Sequence, residues 1–238
     1  MSSGKGHGRE TNVRLGVLGT GVVGKTIAAR LAGLGHEVMV GTREPEQTLS
    51  RTEPDAYGNP PFGAWQEEHP EVKLGTFEEA AAHGEMVVNA TAGGVSLEAL
   101  ELAGEDNMNG KILIDVSNPL DFSRGMPPTL SVSNTDSLGE QIQRRFPEAR
   151  VVKTLHTMNA HLMVDPAQLA ETDHTVFVGG NDAEAKQAVT ELLESFGWTD
   201  IIDLGDITTA RGTEMMLPVW LRLFSALQKP IINFKIVR

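Results

Sequence analysis

The sequence predicts an α/β protein built on a mostly parallel β-sheet. Short apolar runs alternate with amphipathic stretches from residue 13 onward, which is typical of repeated strand–helix–strand units. Most of these runs are apolar on both faces, as strands are when helices cover both sides of the sheet. A glycine-rich turn joins the first run to the first helical stretch. Together these features indicate a doubly wound sheet.

The strands and helices follow from this pattern in chain order. Eight segments are predicted strands: residues 13–19, 36–41, 71–75, 85–90, 111–117, 150–156, 174–180 and 200–205. Six segments are predicted helices: residues 21–35, 76–84, 96–104, 137–146, 182–197 and 209–228. Pro218 lies inside the last of these, and we expect it to kink or interrupt that helix.

Two segments lack periodicity. Residues 44–70 contain five prolines where a single helix would be usual, which predicts a loop insertion with short helical pieces. Residues 118–134 follow a strand at the edge of the sheet where parallel folds build ligand sites. This second segment is therefore either part of a site or a plain connection.

Composition limits the classes of function. The chain has 238 residues, no cysteine and a formal net charge of −12. The absence of cysteine excludes disulfides, thiolate catalysis and thiolate zinc sites, and the negative charge argues against a nucleic-acid partner. No window is apolar enough for a membrane span, so we expect a cytoplasmic protein.

The predicted organisation has three parts. Residues 1–11 are polar and glycine-rich, which indicates a disordered leader. Residues 12–155 are predicted to form a nucleotide-binding domain of the Rossmann type. Residues 156–238 are predicted to form a smaller C-terminal α/β portion.

The glycine-rich turn has the form G-x-G-x-x-G between a strand and a helix, a context that favours dinucleotide binding. In such turns the glycines allow a tight bend, close approach of a diphosphate, and close packing of the helix. A glycine turn that binds no ligand is the alternative. The residues concerned are Gly19, Thr20, Gly21, Val22, Val23 and Gly24.

The end of the second strand indicates which dinucleotide binds. NAD sites usually carry an acidic residue there for the ribose 2′-hydroxyl, whereas this chain has Thr42 and Arg43. A hydroxyl and a guanidinium suit a 2′-phosphate, which a carboxylate would repel. The sequence therefore predicts NADP(H), the alternative being an exposed loop arginine without a role.

Small residues follow the fourth strand. Ala90, Thr91 and Ala92 would let the nicotinamide half of the nucleotide lie against backbone, and Thr91 can bond ribose or diphosphate. The alternative is a turn that needs small residues for helix packing.

Several chemistries are excluded by missing motifs. The only tyrosine, Tyr57, has Pro61 at the lysine position of Tyr-x-x-x-Lys, and neither G-x-S-x-G nor H-E-x-x-H occurs. No metal site is predicted, because His156 and His161 share a face only if their segment is helical.

Four ionisable residues are candidates for proton transfer. For three of them a purely structural role is the alternative. His156 ends the sixth strand and could be a buried imidazole with its hydrogen bonds satisfied, Asp115 could cap a turn, and Lys153 could be a charge on an edge strand. Asp121 is the fourth candidate.

These motifs together resemble the NADPH-dependent reductases of the 5-deazaflavin coenzyme. The likeness rests on the turn at Gly19–Gly24, on "VGTR" ending at Arg43, on "DVSNPL" from Asp115, and on "RVVKTLHTMNA" and "IDLGDITTAR" in the second half. The second half is also similar to the cytoplasmic reductase domain of six-transmembrane metalloreductases. Met158–Asn159 and Ala92–Gly94 depart from the family pattern near the second ligand.

The resemblance implies direct hydride transfer between nicotinamide and a deazaflavin or flavin, with positioning as the protein's catalytic role. It implies that Asn118 and Pro119 contact the nucleotide, and that His156, Asn118 and Asn159 are positioning candidates. It also implies that the C-terminal portion, residues 156–238, completes a cleft for the second ligand. The alternatives are an imine or keto-acid reductase, disfavoured by the short stretch after the last strand, and a non-catalytic NADP(H) sensor.

The C-terminal tail is unusually apolar. We expect residues 215–224 to pack on the sheet or to form a subunit interface, and residues 231–237 to add an edge strand or cross to a partner. On this basis we expect a homodimer.

Overall fold

The computed structural model describes residues 12–55 and 58–238, so the predicted leader and Tyr57 lie outside the described residues. Ten strands occur in this part of the chain: β1 (Arg14–Leu18), β2 (Glu37–Thr42), β3 (Lys73–Thr76), β4 (Met86–Asn89), β5 (Ile112–Asp115), β6 (Leu120–Asp121), β7 (Thr129–Leu130), β8 (Arg150–Thr154), β9 (Thr175–Gly180) and β10 (Asp200–Asp203).

Eight of these strands form one sheet in the order β10-β9-β8-β5-β4-β1-β2-β3. Every neighbouring pair is parallel except β8 and β9, which are antiparallel. The prediction of a mostly parallel sheet and its eight strands is confirmed. β6 and β7 form a separate antiparallel pair inside residues 118–134, where the sequence predicts only an irregular segment.

The helices of the described chain are α1 (Val22–Gly33), α2 (Pro45–Leu49), α3 (Phe62–Glu68), α4 (Phe77–His83), α5 (Ser96–Ala103), α6 (Leu138–Arg145), α7 (Ala160–Val164), α8 (Ala183–Phe196), α9 (Ala210–Glu214) and α10 (Leu217–Leu227). The predicted insertion contains the short helices α2 and α3. The last predicted helix is interrupted, and Pro218 lies in the first turn of α10, as expected from its missing N–H.

Helices cover both faces of the sheet. Successive residues of a strand point to opposite faces, so Val87 and Val88 of β4 belong to different core clusters. On one face Val88 packs in a cluster with Ile27 of α1, and on the other Val87 packs in a cluster with Leu100 of α5. This two-sided burial explains why the strand segments are apolar throughout.

The strand order fixes the place of the cleft. From β1 the chain adds β2 and β3 on one side and then returns to add β4 and β5 on the other. Connections therefore diverge from the carboxyl ends of β1 and β4, and ligands of open α/β sheets bind in the crevice at such a point.

The sheet continues through the predicted domain boundary, because β8 pairs with both β5 and β9. The division into two domains stays a prediction.

The C-terminal segment does not form the strand that the sequence predicts. Phe234 accepts a backbone hydrogen bond from Thr175 at 2.9 Å, but the Asn233 side chain donates to the Thr175 carbonyl at 3.0 Å. The Asn233 side chain thus occupies the Thr175 carbonyl, which a backbone N–H would use if the strand pairing continued. No helix in the described ranges has the length and apolar character needed to cross a bilayer.

Candidate functional site

The glycine turn lies at the carboxyl end of β1. Gly19 has a φ of +117°, and a Cβ built there would lie 2.7 Å from the carbonyl oxygen of Ala90. A Cβ on Gly24 would lie 2.0 Å from the carbonyl oxygen of Gly19. These two positions therefore require glycine because backbone packs against them.

Gly21 differs from both of them. It is the N-cap of α1, and a Cβ built at this position meets no described atom within 4 Å apart from its chain neighbours. A glycine N-cap has no side chain to accept from the free N–H groups of the first helical turn. The open space and the unsatisfied N–H groups together fit an anionic diphosphate.

Thr42 and Arg43 lie beside this turn, at the end of β2. The Thr42 side chain is inward and bonds the Thr48 hydroxyl of α2 at an Oγ1–Oγ1 distance of 3.0 Å. The guanidinium of Arg43 is exposed, and its Nη2 donates to Oε1 of Glu98 at 2.9 Å. Arg43 is thus accessible to a ligand, whereas the Thr42 hydroxyl already has a protein partner.

The small residues after β4 approach the segment after β5. A Cβ on Gly93 would lie 1.9 Å from the carbonyl oxygen of Asn118. Ala92 is exposed and Ala90 is half-buried, so backbone is accessible here. The Thr91 hydroxyl is engaged within the protein, 2.7 Å from Asn89 Oδ1 and 2.8 Å from Ser96 Oγ.

A buried charged cluster lies beneath these loops. Lys153 Nζ contacts Asp115 Oδ2 at 2.8 Å, Glu214 Oε1 at 3.0 Å and the Ser117 carbonyl at 2.6 Å. Burial by itself lowers the pKa of Lys153, but the two carboxylates outweigh it and raise this pKa above its ordinary value. Because β8 is internal to the sheet, the alternative of an edge-strand charge is wrong for Lys153.

Polar side chains extend this cluster to the nucleotide loop. Asp115 Oδ1 accepts from Asn89 Nδ2 at 2.9 Å and from the Ser117 hydroxyl at 2.7 Å. Asn89 Nδ2 also donates to Ser96 Oγ at 2.8 Å. Asp115 therefore holds the ends of β4 and β5 together.

His156 is buried just beyond β8. Burial lowers its pKa well below the ordinary value, and the positive charge of Lys153 lowers it further. Neither ring nitrogen has a hydrogen-bond partner among the described residues. Backbone groups of Thr154 and Thr213 offset this lowering of the pKa only in part, so the buried imidazole is neutral.

Asn118 and Asn159 have different surroundings. Asn118 Nδ2 donates to the His156 carbonyl at 2.8 Å, and its Oδ1 is buried without a partner in the described part of the chain. Asn159 Oδ1 accepts from the His161 N–H at 2.9 Å as the N-cap of α7. Asn159 thus has a local structural role, and His156 lies outside the helix that contains His161.

The remaining predicted residues form loop structure. The Pro119 carbonyl accepts from Ser131 N at 2.8 Å, which closes the β6–β7 pair. Asp121 accepts from Ser123 N at 2.8 Å, and this bonding lowers the pKa of its carboxyl. Within residues 12–55 and 58–238 no group of three or more acidic or histidine side chains could hold a metal ion.

Comparison with known proteins identifies the family. Residues 14–119 match the family of NADP oxidoreductases that are coenzyme F420-dependent. A 1.70 Å crystal structure from Arthrobacter sp. FB24, of a protein assigned as an F420-dependent NADP-reductase, is 61% identical and superposes with a TM-score of 0.91. The match covers 95% of this chain and 100% of that one. The chain belongs to this family. It is an NADP-dependent oxidoreductase.

Two curated relatives extend the comparison. Metalloreductase STEAP3 of Rattus norvegicus is 29% identical over 87% of this chain, and the oxidoreductase spans only 38% of the length of that relative. The F420-dependent NADP reductase of Methanothermobacter marburgensis is 26% identical, with 89% of this chain and 92% of that protein covered. The relatives therefore include members of both families that the sequence resembles, the deazaflavin reductases and the metalloreductases.

Four residues of the oxidoreductase site make contacts that the sequence does not predict. Asn89 interrupts an apolar strand, a local sign of a buried polar contact. Glu214 lies within a largely apolar helical run, and Glu98 lies in the first turn of α5, but neither position indicates a partner. Lys25 is buried in α1, and its Nζ donates to the Pro60 carbonyl at 2.6 Å. This hydrogen bond connects the insertion at residues 44–70 to the helix of the glycine turn.

Proposed function

We propose that the oxidoreductase passes hydride directly between the nicotinamide of NADP(H) and a deazaflavin or flavin ring. The observation that carries this proposal is the burial of Asp115, Lys153 and His156. The three side chains are at most 2% exposed, and the first two bond each other, so none of them is placed to exchange a proton with a bound substrate. Ring-to-ring hydride transfer needs positioning rather than a proton donor.

The nucleotide fits the residues present. The diphosphate would be held by the N–H groups at the start of α1 in front of Gly21, and the 2′-phosphate by Arg43. The unpartnered Oδ1 of Asn118 is an acceptor suited to the carboxamide N–H of nicotinamide. NADP(H) supplies the hydride when bound, and these residues orient it.

The acceptor is assigned from chemistry and from similarity. The relative from M. marburgensis carries the name F420-dependent NADP reductase, and F420 is the deazaflavin coenzyme. An imine or keto acid is the second enzymatic candidate, and NADP(H) sensing without turnover is a third. A cytoplasmic location stays a prediction.

Anaerobic oxidation of NADPH, followed by nicotinamide absorbance, tests the acceptor. F420, FMN, FAD and a cyclic imine should be offered in parallel. We expect rapid turnover with the deazaflavin or a flavin. Turnover with the imine alone would contradict the proposal, and tight NADPH binding with no turnover would indicate a sensor.

Replacement of Arg43 tests the phosphate contact. Arg43→Ala should lower kcat/KM for NADPH about 10- to 100-fold, because a charge-assisted hydrogen bond contributes about 1.5–3 kcal/mol. The value for NADH should change little. Arg51→Ala, which replaces an exposed arginine of the adjacent insertion, is the matched control and should behave as wild type. Equal losses with NADPH and NADH would contradict the role of Arg43.

A further inference from the structure

An ion pair crosses the nucleotide cleft. Arg43 Nη2 lies 2.9 Å from Oε1 of Glu98, and the two side chains are 56% and 59% exposed. Arg43 follows β2, and Glu98 lies in the first turn of α5, which follows β4. The residues are 55 positions apart in the chain, so the fold rather than local sequence brings them together.

The strand order places this pair over the glycine turn. β1 lies between β2 and β4 in the sheet, and neighbouring strands are about 4.8 Å apart. A contact between the loop after β2 and the helix after β4 must therefore pass outside the carboxyl end of β1. That end carries Gly19–Gly24, so the ion pair spans the mouth of the cleft.

We propose that Glu98 is a specificity-determining residue that holds Arg43 in the nucleotide-free protein in place of the ribose 2′-phosphate. This inference rests on the proposed contact between Arg43 and that phosphate. A carboxylate and a phosphate present the same kind of anionic oxygen to a guanidinium. Both compete for the donors of Arg43, so Glu98 lowers the affinity for NADP(H).

Glu98 acts selectively on the phosphorylated nucleotide. The 2′-phosphate carries about −1.5 to −2 charges, so it must displace the carboxylate from Arg43 or bind beside a like charge. The 2′-hydroxyl of NAD(H) is neutral, so NAD(H) binds without displacing the carboxylate and without charge repulsion from it. Glu98 therefore narrows the preference for NADP(H) over NAD(H) that Arg43 creates.

The expected size of the effect is modest because both side chains are exposed. Exposed ion pairs are weak and screened by salt, so Glu98→Gln should bind NADPH about 2- to 5-fold more tightly than wild type at low ionic strength. The gain should shrink as salt is added. NADH affinity should stay within about twofold of wild type, given the neutral 2′-hydroxyl.

α5 offers a matched control. Glu101, on the same helix, forms an exposed ion pair with Arg145 at 2.9 Å that joins α5 to α6. Glu101→Gln removes the same charge and the same kind of ion pair from a place away from the mouth of the cleft. It should leave NADPH affinity unchanged, which separates the local contact from a general change in net charge.

The test is a calorimetric titration of NADPH and NADH into wild type, Glu98→Gln, Glu101→Gln, Arg43→Ala and the Arg43→Ala/Glu98→Gln double variant, at two salt concentrations. Glu98→Gln should bind NADPH more tightly, and its gain should fall below about twofold when Arg43 is absent. Thermal unfolding of each variant checks that the fold is intact.

Three outcomes distinguish the role of Glu98 from the contact between Arg43 and the 2′-phosphate. Tighter NADPH binding by Glu98→Gln alone, lost without Arg43, supports both. Unchanged or weaker binding by Glu98→Gln, together with a loss in Arg43→Ala, overturns the role of Glu98 only. Unchanged binding by Arg43→Ala overturns the phosphate contact and the inference with it.

Discussion

Lys153 satisfies its three donors in a site buried from bulk solvent. It contacts the carboxylates of Asp115 and Glu214 and the Ser117 carbonyl. Two carboxylates against one ammonium leave an excess negative charge, and the backbone N–H groups of Leu138 and Gly139 at the start of α6 donate to Glu214 at 2.9 and 3.0 Å. The positive end of the helix thus balances the cluster.

Removal of this ammonium should destabilise the protein strongly. Lys153→Met leaves two buried carboxylates without a counter-charge, and breaking a buried pair in this way costs about 3–5 kcal/mol. Denaturant unfolding should show a free energy of unfolding lower by that amount. Lys73→Met, which removes an exposed lysine from β3, should change it by less than about 0.5 kcal/mol. Similar stabilities for the two variants would contradict the structural role of Lys153.

Among the helices, α1 contains two glycines in opposite surroundings, one packed against backbone and one open to solvent. Gly24 faces the Gly19 carbonyl, whereas a Cβ built at Gly33 meets no described atom within 4 Å apart from its chain neighbours and the backbone of α1 itself. The same substitution should therefore have opposite effects at the two ends of one helix.

Gly24→Ala should push α1 away from the turn, with a loss of about 1–3 kcal/mol in unfolding free energy and weaker NADPH binding. Gly33→Ala should instead stabilise the protein by about 0.5–1 kcal/mol, because alanine is the better helix former. Thermal unfolding with and without NADPH measures both effects. Tolerance of alanine at both positions would show that the close packing at Gly24 is not required.

The whole molecule exposes an apolar groove between α10 and the β6–β7 segment. The groove has a volume of about 440 Å³ and includes Phe122, Trp220 and Phe224. Val219 and Leu227 of α10 are each 53% exposed, and Met126 beside the groove is 70% exposed. Contiguous exposed apolar side chains of this kind mark interaction surfaces.

We expect two copies of the chain to cover this surface in a symmetric dimer, as the apolar tail predicts. Phe224→Glu should then shift sedimentation toward the monomer, because it places a charge in the interface. Leu102→Glu, at an exposed apolar position on α5, should leave the assembly unchanged. A monomeric wild-type protein at micromolar concentration would exclude the dimer.

Much of the fold and part of the site follow from local sequence. The eight sheet strands are visible as apolar runs, and the turn at Gly19–Gly24 is recognisable because its chemistry lies within six consecutive residues. Asn159 also carries a local signal, since asparagine directly before a helix favours the N-cap.

The sequence by itself determined the fold class, the nucleotide turn and the cationic residue beside it, because strand and helix periods and turn chemistry act over a few residues. Other contacts were decided by the tertiary structure alone. The sequence did not determine that Lys153 meets Glu214, that β9 runs against β8, or that Arg43 meets Glu98. Those contacts depend on the order and direction of strands, which local periodicity does not specify because many strand orders bury the same apolar residues.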